Sequence, residues 1–185
     1  MIAKFFAAAA LASAVLTANA AVITVNGPGS TAIDSNIAQN LNLNVGTHGI
    51  VTGLTVFLDV GGPYADNMTF QLLHNGVLVR LYSGTTDSSN ASFNVMFKDG
   101  AGNAPTSGSV YGTYRPIDSL SAFNGMDVFG TWTLRAFDNV MAGDNNDLNA
   151  WSITATTANA VPEPASLALL GVALFGMGVV RRRKA

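Results

Sequence analysis

The sequence predicts an all-β fold in which antiparallel strands form a β-sandwich, and three observations support this prediction. Between residues 21 and 160, apolar and polar residues alternate with a period of two in seven separate runs. No run shows the apolar stripe of an amphipathic helix. Gly, Asn, Ser and Thr are abundant there, which favours strands and turns over helices. Strands with one apolar face each can bury those faces when two sheets pack together.

The first four runs predict strands in the first half of this region. Their apolar faces consist of Leu41, Leu43 and Val45; Leu54, Val56, Leu58 and Val60; Met68, Phe70 and Leu72; and Val77, Val79 and Leu81. Tyr82 is predicted on the opposite, outer face of the fourth strand. Asn75-Gly76 separates the last two runs and predicts a hairpin, because a type I′ turn requires positive φ at both central residues.

The remaining runs predict three strands in the second half. Their apolar faces consist of Phe93, Val95 and Phe97; Trp132, Leu134 and Ala136; and Trp151 and Ile153. We expect Trp132 and Trp151 to be buried between the sheets, because each shares a face with an apolar residue two positions away. A carbohydrate-binding module would instead display such aromatic residues on an exposed face.

The N-terminus has the organisation of a secretory signal peptide. Lys4 supplies the positive region, Phe5–Val15 is apolar and rich in alanine, and Ala18-Asn19-Ala20 is an Ala-x-Ala cleavage site. We expect signal peptidase to cut after Ala20, so that residues 1–20 are removed. An uncleaved N-terminal anchor is the alternative.

The C-terminus, residues 161–185, combines three parts in a fixed order. Pro162, Glu163 and Pro164 precede the uncharged segment Ala165–Val180. As a helix this segment is about 24 Å long, slightly short for a bilayer core of about 30 Å. A cationic cluster then follows at Arg181, Arg182, Arg183 and Lys184. Such a cluster stays on the cytoplasmic side and places the rest of the chain outside.

This order of parts resembles the PEP-CTERM sorting signal of Gram-negative bacteria. The resemblance implies recognition and removal of the tail by an exosortase, a membrane protease-transpeptidase. It therefore predicts an exported precursor that the tail anchors transiently in the inner membrane, and a mature form at the cell surface or outside the cell. A buried C-terminal core helix is the alternative, which the cationic end and the lack of a polar face disfavour.

The segment between the two ends has the size of one domain, from residue 21 to about residue 160. It contains four basic residues and ten aspartates, which gives a net charge of −6. Nucleic-acid binding requires a basic surface, so this charge argues against it. The chain contains no cysteine, so no disulfide stabilises the domain after export.

Several stretches of this domain resemble the P domain, or Homo B domain, that follows the protease domain in kexin- and furin-like convertases. They are Ala32-Ile33-Asp34, strand segments 50–60 and 68–82, Phe97-Lys98-Asp99-Gly100-Ala101, Tyr114-Arg115-Pro116, Leu120-Ser121-Ala122-Phe123-Asn124-Gly125, Gly130-Thr131-Trp132-Thr133-Leu134, Asp138, Leu148 and Trp151. The resemblance implies a jelly-roll-like sandwich. The proline of the family's Ile-Pro-Asp segment is missing here, and so is the protease domain.

The chain lacks the residue patterns of a hydrolase, and we expect no enzymatic activity. It has no cysteine and no Gly-x-Ser-x-Gly motif. Its two histidines, His48 and His74, lie beside glycine or asparagine, and we expect both to be exposed loop residues.

The segment from residue 138 to residue 147 is dense in oxygen-bearing side chains. Asp138, Asp144, Asn145 and Asp147 could ligate Ca²⁺, which prefers carboxylate, amide and carbonyl oxygens. The spacing differs from that of an EF-hand. The other interpretation is an Asx-rich turn that hydrogen-bonds its own backbone.

These features together predict an exported, non-enzymatic protein of the cell surface or of a biofilm matrix. Its expected partners are signal peptidase, the exosortase, the inner membrane during sorting, and extracellular polysaccharide. The alternatives are a glycan-binding module and an accessory P domain that assists a subtilisin-like protease in trans.

Overall fold

The computed structural model describes residues 20–29, 31–33, 36–84, 93–104, 109–139 and 146–158. They belong to one compact unit, Ala20–Asn159. Among these residues no helix is long and apolar enough to cross a membrane. The predicted sorting tail and all but the last residue of the predicted signal peptide lie outside the described residues.

Ten strands within the described ranges form two sheets. The strands are β1 (Ala20–Asn26), β2 (Thr31–Ala32), β3 (Gln39–Val45), β4 (Ile50–Gly61), β5 (Met68–His74), β6 (Val77–Ser83), β7 (Phe93–Asn103), β8 (Val110–Arg115), β9 (Gly130–Asp138) and β10 (Asp147–Ala158). The six-stranded sheet has the order β1-β10-β4-β7-β8, with β2 also paired to β10. The four-stranded sheet has the order β3-β9-β5-β6. Short 3₁₀ turns lie at Ala65–Asn67 and Leu120–Phe123.

The predicted all-β fold with two sheets is confirmed, with one exception in strand direction. The prediction of antiparallel strands is wrong for β8, which runs parallel to β7 with Phe93 opposite Val110. Strands β1, β2 and β8 were not predicted, because their sequences lack a sustained apolar alternation. The predicted signal-peptidase cut would remove only the first residue of β1, Ala20.

The core contains cross-strand rows in which inward residues of neighbouring strands lie opposite one another. One row of the four-stranded sheet contains Leu41, Leu134, Leu72 and Val79; the next contains Leu43, Trp132, His74 and Val77. The predicted burial of both tryptophans is confirmed, since Trp132 is 0% and Trp151 is 1% exposed. Large apolar side chains buried this way supply most of the stability of a domain without disulfides.

The predicted hairpin joins β5 to β6 through positive φ angles of 47° at Asn75 and 80° at Gly76. The prediction that Tyr82 faces outward is wrong. A register shift between Phe70 and Gln71 inserts an extra residue into β6, so that both Leu81 and Tyr82 are buried.

Candidate functional site

The two described aspartates of the predicted calcium segment lie in different sheets. Asp138 is the last residue of β9 and is buried, whereas Asp147 is the first residue of β10 and is exposed. Asp144 and Asn145 lie outside the described residues. The metal site therefore stays a prediction.

Asp138 is part of a buried polar cluster that the sequence did not reveal. The cluster consists of Asp66, Asn67, Asp138 and Asn146, each at most 1% exposed. The 3₁₀ turn before β5 carries the first two, and Asp138 pairs with Met68 at the start of β5. The Nδ2 of Asn146 lies 3.5 Å from the Met68 sulfur, which brings the fourth member to the same place.

Asn146 connects three chain segments within this polar cluster. Its Oδ1 accepts a hydrogen bond from the Tyr64 amide at 3.2 Å, and its Nδ2 donates to the Tyr64 carbonyl at 3.4 Å. Its own carbonyl accepts from the Ile33 amide at 2.7 Å. These hydrogen bonds fix the start of β10 against the turn that precedes β5.

Asn139 provides a second set of connections beside the cluster. Its backbone N–H donates to the Asn67 carbonyl at 3.2 Å, and its side-chain Nδ2 donates to the Gly84 carbonyl at 2.7 Å. Gly84 packs so closely that a Cβ there would lie 1.5 Å from the Asp66 carbonyl oxygen. Only glycine therefore fits at this position without moving the backbone.

Tyr82, on β6, contacts the polar cluster through its hydroxyl group. Its hydroxyl donates to the Asp66 carbonyl at 3.3 Å. Burial, together with the nearby Asp66 carboxylate, raises the pKa of Tyr82 to about 12. The phenol is thus neutral at physiological pH and acts as a hydrogen-bond donor.

The polar cluster offers hard oxygen ligands but not a complete metal site within the described residues. Among them, no three His, Cys, Asp or Glu side chains form a group that could hold a metal ion. Two carboxylates and two amides suit Ca²⁺ only if further oxygens join them. Of the other predicted ligands, Asp147 is exposed, and Asp144 and Asn145 lie outside the described residues.

The two histidines lie at a different part of the fold. His48 is exposed as predicted, and its Nδ1 donates to Asp127 Oδ2 at 2.6 Å. Hydrogen bonds from His48 and from the backbone amides of Gly49 and Phe129 lower the pKa of Asp127 to about 2. The His48 ring also stacks on Phe129, with centroids 4.1 Å apart. This arrangement ties the loop before β4 to the loop before β9.

The prediction that His74 is an exposed loop residue is wrong, because it is the last inward residue of β5 and is 1% exposed. Its ring stacks on Trp132 with centroids 3.9 Å apart. Its Nδ1 lies 2.9 Å from the Thr131 carbonyl oxygen and its Nε2 lies 2.9 Å from the Asp127 carbonyl oxygen. His74 therefore has a structural place in the core.

Comparison with known proteins assigns the tail. Residues 160–184 match the model of the PEP-CTERM protein-sorting motif. The chain thus carries the sorting signal of exported proteins that an exosortase processes, and its precursor is membrane-anchored. The match includes Pro162, Glu163 and Pro164 and the cluster from Arg181 to Lys184.

Solved structures that match this chain include two of a serine protease from Aeromonas sobria. One is the complex of that protease with its chaperone, with a TM-score of 0.49 and 15% identity. The other is the protease itself, with a TM-score of 0.48 and 15% identity. Each match covers 80% of this chain but only 28% of the Aeromonas chain. No curated protein matches this chain.

Proposed function

We propose that this chain is a non-enzymatic structural protein of the bacterial surface or extracellular matrix, delivered there by exosortase processing. The single observation that carries the proposal is the sorting motif over residues 160–184. The mature protein then consists of residues 21–160, whose described part forms the two-sheet sandwich and whose net charge is −6. Association with extracellular polysaccharide is part of this proposal.

We further propose that the mature domain is a P-domain-like jelly roll. The residues that carry the resemblance occupy defined places in the sandwich: Trp132 and Leu134 lie inward on β9, Asp138 ends that strand, and Trp151 lies inward on β10.

The proposal is tested by the mass of the exported protein in the bacterium that produces it. We expect a mature form that begins at residue 21 and lacks Arg181–Lys184. Replacing Pro162, Glu163 and Pro164 by alanine should retain the tail and hold the protein in the membrane fraction. The matched control replaces Pro105 and Pro116, which lie outside the motif, and should leave processing unchanged. A wild-type surface form that still contains Arg181–Lys184 would refute exosortase processing.

A further inference from the structure

The outer surface of the four-stranded sheet differs in charge from the domain as a whole. We call this surface the Asn–Arg face, and it consists of Asn40, Asn42, Asn44, Gln71, Leu73, Leu78, Arg80, Thr131, Thr133 and Arg135. Two of the four basic residues of the acidic domain lie on it, and the four strands place no carboxylate there. Among the described residues, Asp118, in a loop at the β6 edge, adds a carboxylate to this face through its contact with Arg80.

Strand register sets the central polar row of this face. Asn40, Arg135, Gln71 and Arg80 are direct neighbours across β3, β9, β5 and β6. With neighbouring strands about 4.8 Å apart, the row is roughly 14 Å long. That length suits a short stretch of an extended polymer lying across the strands.

Within the part of the chain that the structure describes, Arg135 is the cation of this row that has no counter-ion. Arg80 forms a two-point ion pair with Asp118, with distances of 2.7 and 2.8 Å. Arg135 makes no ion pair or side-chain hydrogen bond with any of the described residues, although its side chain is partly buried. Its neighbour Gln71 has a buried Oε1 that accepts no hydrogen bond from the described residues. A guanidinium in this position can bind a carboxylate through two parallel hydrogen bonds.

The two rows beside the central polar row supply fixed amide donors and an apolar strip. Thr133 donates to Asn42 Oδ1 at 2.7 Å, and Thr131 donates to Asn44 Oδ1 at 2.8 Å. With each oxygen occupied, the amide NH₂ groups remain available as donors to an external acceptor. Leu73 and Leu78 continue the row of Asn42 and Thr133, and Leu78 is 43% exposed.

We propose that the Asn–Arg face binds an acidic, carboxylate-bearing polysaccharide. Arg135 pairs with a uronate carboxylate, the fixed asparagine amides donate to sugar hydroxyls, and the leucines contact the apolar faces of the sugar rings. Charge complementarity supports this partner, because Arg135 has no counter-ion among the described residues and the four strands place no carboxylate on the face. The outer face of the six-stranded sheet places Thr24, Thr154, Thr55 and Lys98 in one cross-strand row. This proposal rests on the export proposed above.

The test uses the protein exported by the bacterium that produces it and affinity electrophoresis in gels that contain polygalacturonate or neutral dextran. Wild-type protein should be retarded by polygalacturonate and not by dextran. Arg135→Gln should weaken the binding about tenfold, as expected for the loss of one charge-assisted pair. Arg135→Lys should also weaken it, because lysine cannot replace the two-point contact. Asn42→Ala removes a donor without a charge and should weaken binding several-fold.

The matched control is Lys98→Gln, which removes the same charge from the other sheet and should change the binding less than twofold. Melting temperatures of all variants verify that they are folded. Equal losses in Lys98→Gln and Arg135→Gln, or equal retardation by dextran, would overturn the proposal. If polygalacturonate does not retard a correctly processed exported chain, the proposed ligand is overturned and the export proposal stays intact. An unprocessed chain would refute the export proposal instead.

Discussion

At the residue scale, the core is organised around one tryptophan whose partners the sequence shows only in part. Trp132 stacks on His74, lies 5.0 Å from Phe123 between ring centroids, and donates from Nε1 to the Val128 carbonyl at 2.9 Å. Its burial follows from the period-two pattern. The role of His74 was not predicted, because a polar residue beside an Asn-Gly turn suggests an exposed side chain. The spacing along the strand did indicate burial, since His74 lies two residues after Leu72 and continues the inward series of Met68, Phe70 and Leu72.

Replacing Trp132 by alanine should lower the free energy of unfolding by about 3–5 kcal/mol, because it removes a fully buried aromatic side chain and leaves a cavity. Urea denaturation measures this change. The control, Thr133→Ala, is the next residue on the opposite face of the same strand and should cost about 1 kcal/mol or less. A loss below roughly 1 kcal/mol for Trp132→Ala would show that the core does not depend on this residue.

Two exposed aspartates should make the protein sensitive to acid. Hydrogen bonds from Arg80 lower the pKa of Asp118 to about 2, and those from His48 and two amides do the same for Asp127. Both pKa values are depressed from an unfolded value of about 3.9. Their stabilisation is therefore complete above about pH 4 and is lost as the pH falls towards 2.

The measurement is the urea midpoint between pH 5 and pH 2. Asp118→Asn and Asp127→Asn should each show a smaller fall over this range than the wild type. High salt should reduce the difference, because both ion pairs are exposed and screened. Identical pH profiles for wild type and both variants would contradict the proposed linkage.

At the element scale, the sequence predicts strands well where one face is uniformly apolar and poorly elsewhere. The alternation in β3, β4, β5, β7 and β9 gives their inward faces correctly. Strand β8 contains Gly112 and mostly exposed side chains, so its pairing depends on tertiary contacts. The buried Tyr82 depends on a register shift, which a period-two pattern cannot encode. The buried polar cluster was missed for a related reason, since its members come from three separate elements.

The β5–β6 hairpin provides a local test of turn geometry. Gly76 has a φ of 80°, and an added Cβ would contact nothing within 4 Å. Gly76→Ala should therefore destabilise the fold by about 1 kcal/mol through backbone strain alone. Gly46 also has open space around its Cβ position but no positive φ, so Gly46→Ala is the matched control. Thermal unfolding measures both, and equal effects would show that the turn is not strained by alanine.

At the scale of the whole molecule, the sorting tail and the ligand of the sandwich can be predicted from the sequence to different extents. The tail is identified by a short, ordered pattern that needs no folded structure, and the motif match confirms it. The ligand of the sandwich has no such signature. It depends on which outward side chains strand pairing brings together, as on the Asn–Arg face, and a sequence alone does not give that register.

The calcium site remains a prediction for the whole domain. A cation that binds only the folded form would add about 1–2 kcal/mol at a concentration roughly five- to fiftyfold above its Kd. Extracellular modules often have Kd values of about 10⁻⁴–10⁻³ M, so about 5 mM Ca²⁺ is sufficient. We expect this addition to raise the melting temperature of the exported protein by several degrees.

The double variant Asp144→Asn, Asp147→Asn should abolish this rise, because it removes two of the predicted ligands. Asp59→Asn, on the outer face of β4, is the matched loss of a carboxylate outside the segment and should retain the rise. Magnesium, which prefers rigid octahedral sites, should have a smaller effect. The outcome depends on the buried Asp138 as well, because a carboxylate at 1% exposure is costly unless positive charge or hydrogen bonds offset it. A melting curve that is the same with Ca²⁺ and with a chelator would assign the segment to an Asx-rich turn that hydrogen-bonds its own backbone.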